Sequence, residues 1–314
     1  MRSNRAPAPG SPPVSIGGRL AHGTTRVTAR IDPVPAEQIA ASLAYINWTV
    51  LTGLAVGSFA AVVLGLLKTS ATKGYLAFVA FTSAAFGLLA WLSDGALPNA
   101  LGADVMASQV DMAWWAPRAA ALALFSVLAL VNALAIAWGA RSRLVAGAGL
   151  AAGVFALFAG AVSLGGGFDL GGLLLFVQLA VLAAATGGVW AAMILGHWYL
   201  VTPKLPEAPL ILFARVLTGV VAVQLVLFVA WVVTGAGPAG VAGLGAMTGT
   251  WALFVWLRLV VGIVFPLIVS WAAIQTARTR SMESATGLLY INVGTIAAGT
   301  ILAAGLYFGA GLLV

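Results

Sequence analysis

Residues 208–234 read APLILFARVLTGVVAVQLVLFVAWVVT, with Arg215 as their one charge. About 20 mostly apolar residues suffice to cross a bilayer as a helix. The run is too long for a core strand. It also lacks the polar face of a surface helix, so it reads as a membrane span. Seven further stretches have the same character, at 40–67, 75–92, 117–139, 144–164, 170–200, 247–276 and 286–313. The expected fold is therefore an all-α polytopic membrane protein, with about eight transmembrane helices in antiparallel hairpins. No span shows the alternation of about ten residues that marks a membrane β-barrel.

The whole chain agrees. Of 314 residues, 62% are hydrophobic and 7% are charged, against about 25% charged in a soluble domain. The mean hydropathy is +1.07. Fifteen basic and eight acidic side chains are too few to coat a soluble globule. Thirty-eight glycines let helices approach closely where the bilayer gives no hydrophobic drive for association. Four-residue glycine pairs occur at Gly53/Gly57, Gly149/Gly153 and Gly305/Gly309. They predict close packing inside one bundle, with a dimer face as the alternative.

Residues 1–38 differ in kind, being rich in Pro, Gly, Ser, Thr and Arg. This zone reads as a disordered tail or an over-extended gene start, since no other Met precedes Met106. The membrane domain is 39–314. Its loops carry a strong charge asymmetry. Lys68, Lys73, Arg141, Arg143, Lys204, Arg278 and Arg280 follow spans one, three, five and seven, whereas the alternate loops hold Arg118 with Asp94, Asp104, Asp111 and Asp169. By the positive-inside rule, loops 68–74, 140–143, 201–207 and 277–285 face the cytoplasm and both core termini face outward. The expected site is a prokaryotic-type cytoplasmic (inner) membrane. Five tail arginines run against this rule. The basic excess marks topology, and no nucleic-acid surface is expected. The outward connection 93–116, with Trp114–Trp115, predicts a short interfacial segment.

The chemistry is narrowed by what is missing. With no cysteine, there is no Fe–S cluster and no thiolate metal site. Of two histidines, His22 lies in the tail, so a bis-His haem is excluded. A quinone or a singly ligated haem stays open. No HExxH, phosphate loop or dinucleotide motif occurs. No lysine lies mid-span, and no carboxylate is expected in the interior of a span.

Polar residues inside spans are functional candidates because they are costly there. Arg258, in the seventh span, shares a helical face with Trp251 and Phe254, whose ring is within reach of the guanidinium. Gln178 lies at similar depth in the fifth span and is the expected hydrogen-bond partner. Gly262 and Pro266 follow as a hinge, because Pro266 removes the backbone bond to the Gly262 carbonyl. Arg258 either braces the bundle or grips an anionic or carbonyl-bearing ligand. A second cluster, GHWYLVTPKLPE at 196–207, offers His197 and Tyr199. Arg215 on the next span could complete a pocket with them, and His197 is a possible single axial ligand. The same cluster also reads as an interfacial anchor. Asn132, Gln224 and Asn292 read as interhelical glue.

The leading expectation is a membrane subunit or accessory protein of a redox or respiratory assembly. It would bind a quinone, lipid or singly ligated haem and depend on other membrane subunits for electron transport. The alternative is a transporter of a small anionic or carboxylate solute, using Arg258 and the Gly262/Pro266 kink. A scaffold that only packs against other helices is the third class.

Overall fold

The computed structural model describes residues 35–98, 110–202, 205–241 and 244–314. Among these residues there are helices and no strands. A short helix α1 (Pro35–Ala41) precedes the spans α2 (Leu43–Lys68), α3 (Lys73–Asp94), α4 (Trp115–Ala137), α5 (Arg143–Leu164), α6 (Leu170–Val201), α7 (Ala208–Thr234), α8 (Ala252–Arg278) and α9 (Met282–Ala310). All eight spans are long and apolar enough to cross a membrane. The chain is thus an all-α, multi-pass protein of the lipid bilayer. Residues 35–38, read as disordered tail, are helical instead. The remaining tail and Asp104 lie outside the described residues.

Local chemistry sets the helix starts. The side chains of Thr72, Ser142 and Asp169 accept from the backbone N–H groups of Tyr75, Val145 and Gly172, capping α3, α5 and α6. Gly235 and Gly311 end α7 and α9 in the left-handed conformation (φ +68° at each). The chain then turns inward, and residues 311–314 are buried. Immediately before α4 the connection contributes one 3₁₀ turn, Met112–Trp114. Trp114 there stands edge-on to Phe158.

The longest helix, α6, packs against α2, α5, α7 and α9, and α2, α3, α4 and α5 pack among themselves. On the other side α8 packs between α7 and α9. Glycine makes the α2–α6 contact possible. A Cβ at Gly57 would overlap the Ala183 carbonyl, and one at Gly187 would overlap the backbone of Ser58. All three glycine pairs meet this chain's own residues: Gly53/Gly57 meet Ala183, Gly149/Gly153 meet Phe59 and Phe125, and Gly305/Gly309 meet Ile39 and Trp251. The packing expectation holds, and none of these pairs is an open dimer face. Hydroxyl pairs stitch other seams, Ser58 to Ser83 between α2 and α3 at 2.7 Å and Thr186 to Thr300 between α6 and α9 at 2.7 Å. Asn292 is glue as expected, donating to Ser270 at 2.7 Å and to the Pro266 carbonyl. Asn132 is buried, yet both its amide atoms lack a partner among the described residues.

Candidate functional site: two buried arginines

Arg258 sits six residues into α8, which starts as a regular helix and then widens into a π-turn at Val260–Val264. A π-turn inserts one extra residue into a helix and is enriched at functional sites. The cause is legible. Pro266 has no N–H to give the Gly262 carbonyl, and Arg258 Nη1 donates to that oxygen instead at 3.1 Å. The side chain thus replaces a missing backbone donor. Gly262 lies directly against Gly299 of α9, where neither position has room for a Cβ. The hinge expected at Gly262/Pro266 is therefore a π-turn clamped on α9.

The second Arg258 bond corrects the sequence reading. Nη2 donates to Gln224 Oε1 at 3.0 Å, so the partner is Gln224 of α7, which was read as glue. Gln224 also bridges to the Val181 carbonyl at 3.3 Å. Gln178 lies nearby but donates to the Val314 carbonyl at 3.5 Å. Phe254 does not offer its ring, because the cation–π contacts among the described residues belong to another arginine. Trp251 tilts against Phe254 and packs on Gly309. Gln178, Gln224, Trp231, Arg258 and Val314 line a cavity of about 10 Å³, the space of about one water molecule. Arg258 Nε and Gln178 Oε1 are buried with no partner among the described residues. A planar guanidinium with an unused N–H, 3% exposed, is equipped to hold an oxygen-bearing group.

A second centre was missed. Arg118 was placed in a loop, but it lies in the first turn of α4 and is 0% exposed. Its Nε donates to Asp94 Oδ1 at 2.6 Å. Asp94 was also read as a loop residue. It is the last residue of α3 and is fully buried. Neither residue lies in the interior of a span, but both are buried at their helix ends instead of free in a loop. Arg118 Nη1 donates to Ser163 Oγ at 3.2 Å, and its guanidinium lies 4.2 Å from the Trp115 ring centroid and 5.7 Å from that of Trp48. The signal available in the sequence was an arginine following Trp114–Trp115 and Pro117 at the head of an apolar run. The counterpart was an aspartate closing the run before it.

The expected His197 pocket does not assemble. His197 is exposed, and its one hydrogen-bonding neighbour among the described residues is the Tyr290 hydroxyl, 3.4 Å from Nδ1. Tyr199 is buried and donates to the Pro206 carbonyl, which closes the turn after α6. Arg215 is exposed, and no hydrogen bond or ion pair among the described residues joins it to His197 or Tyr199. Glu207 faces Arg280 at 3.9 Å on the surface. Lys204 lies outside the described residues. No group of three or more His, Asp or Glu that could hold a metal occurs among the described residues.

None of the protein families, curated proteins or solved structures compared with the chain matches it. The reading of function therefore rests on the sites alone.

Proposed function

We propose that this is a membrane carrier for a small anionic or carbonyl-bearing solute, with Arg258 as the binding residue. The observation that supports it is the unused Nε–H of a buried arginine on a π-turn, beside the amides of Gln178 and Gln224. A π-turn within a helix is a frequent mark of a functional site. The cavity holds about one water, so a solute needs more room than this form offers. Access requires α8 to shift at its π-turn, which already has one residue too many for an α-helix. In this reading the Lys68 end of the bundle faces the cytoplasm and the Asp94 end faces outward, as the loop charges imply.

The test is uptake of a panel of radiolabelled carboxylates into proteoliposomes, comparing the native chain with Arg258→Lys and Arg258→Gln. Saturable uptake of a panel member that falls at least about tenfold in both variants, at equal protein incorporation, supports the reading. Equal uptake in all three refutes it.

The redox-assembly reading has one specific support, an exposed imidazole at His197 that a haem or a partner subunit could reach. A Soret band, or a quinone that copurifies and is lost in His197→Ala, would favour it over transport.

A further inference from the structure

Away from both arginines, α2 and α7 stand apart. α7 packs on α6 and α8, and α2 packs on α3, α5, α6 and α9. The gap between α2 and α7 is a crevice floored by α6. Its inner part is a cavity of about 110 Å³ lined almost wholly by apolar atoms, from Gly57, Ala61 and Leu64 on α2, Gly188 on α6, and Phe213 and Val220 on α7. One turn further along the same two helices lies a wider opening of about 560 Å³. Lys68, Thr69 and Ser70 line its rim on one side and Pro209 and Leu212 on the other.

The crevice thus has two chemistries in sequence. The rim carries the exposed ammonium of Lys68 and the hydroxyl of Ser70, whereas the Thr69 hydroxyl donates to the Gly65 carbonyl at 2.8 Å. Arg215 is exposed on the same turn of α7 as Leu212. No carboxylate lines either part, and nearby Glu207 faces Arg280. The deep part offers no polar side chain. Gly188 leaves it open, because a Cβ there would meet nothing within 4 Å, whereas its neighbour Gly187 has no room at all. The length is also specific. From Lys68 to Gly57 the helix rises about 16 Å, close to the thickness of one hydrocarbon leaflet, about 15 Å.

We infer that this crevice is a binding site for an anionic phospholipid, with the phosphate at Lys68 and Ser70, the exposed Arg215 as a second cation one turn along α7, and one acyl chain lying along Leu64, Gly57 and Gly188. Lysine and arginine at a helix end recognise anionic headgroups, and one leaflet's depth fits a chain that starts at that end. The site is independent of the Arg258 proposal.

Native mass spectrometry of the delipidated full chain tests this, with dioleoyl phosphatidylglycerol and dioleoyl phosphatidylcholine titrated separately. The native chain should bind a first phosphatidylglycerol at least about tenfold more tightly than a first phosphatidylcholine. Gly188→Leu, at a position where a Cβ meets nothing within 4 Å, puts its side chain into the slot and should weaken the first adduct of both lipids about tenfold or more. Gly294→Leu, at another glycine with open space, should leave it unchanged. Lys68→Gln with Arg215→Gln should bring phosphatidylglycerol down to the phosphatidylcholine level. The inference is overturned if Gly188→Leu and Gly294→Leu behave alike. It is equally overturned if the native chain shows no preference for the anionic lipid, or if purification from native membranes finds a quinone or a second polypeptide in the crevice instead.

Discussion

The Arg118–Asp94 pair makes a sharp thermodynamic prediction. Both side chains are essentially unexposed and their contact is 2.6 Å. Removing one partner leaves an uncompensated buried charge, at a cost of about 3–5 kcal/mol. Asp94→Leu leaves Arg118 with Ser163 and two indole rings, which cannot neutralise it. Arg118→Leu strands the carboxylate. The double variant Asp94→Leu/Arg118→Leu buries two apolar groups instead, and such replacements are often neutral. The double variant should therefore be more stable than either single variant, with a coupling energy of about 3 kcal/mol or more. The assay is a thermal melt of the detergent-solubilised protein followed by tryptophan fluorescence, with Trp48 and Trp115 flanking the guanidinium as local reporters. A double variant whose loss equals the sum of the single losses would refute the reasoning. It would mean that water reaches the pair or that other residues neutralise each charge.

Three further outcomes are expected. Gln224→Leu should destabilise the protein by about 1.5–3 kcal/mol, because it strips a hydrogen bond from a charged group, whereas Gln178→Leu should cost less in the same melt. Gly57→Ala and Gly187→Ala should sharply lower the yield of folded protein on size-exclusion chromatography, because each Cβ overlaps the backbone of the facing helix. Gly287→Ala, which meets nothing, should match the native yield. Deleting Val261 removes the extra residue of the π-turn, so that α8 runs on as a regular helix and the widened turn beside Arg258 is lost. Uptake should then fall to the Arg258→Gln level while folded yield persists, and unchanged uptake would sever the link between the π-turn and Arg258.

The fold was legible because hydropathy and length decide it. Each span needed only to be apolar and long enough, and the α7 run at 208–234 emerges with the same bounds. The candidate sites were legible in part. Arg258 stood out because a charge within WALFVWLRLVVGIVFP has nowhere to hide. Its partner was not readable, since Gln178 and Gln224 have similar depth and only helix packing chooses between them. Arg118 was hidden for a different reason. A charge in the first turn of a span looks like a rim residue unless its neighbour helix is known to bury it. The reverse error befell His197, Tyr199 and Arg215. Proximity in sequence brought them together on paper, but helices α6 and α7 turn His197 and Arg215 outward and leave Tyr199 bonded to its own turn.

The Arg258–Gly262 bond ties the state of one side chain to the shape of a whole helix. The guanidinium acts as a latch on the Gly262 carbonyl, for which Pro266 supplies no substitute. A solute that draws Arg258 away must leave that oxygen without its donor, or the backbone must re-form around it. Occupancy and helix geometry are then mechanically coupled at a single carbonyl, and Gly299 across the α8–α9 contact is the first position outside α8 to register the change.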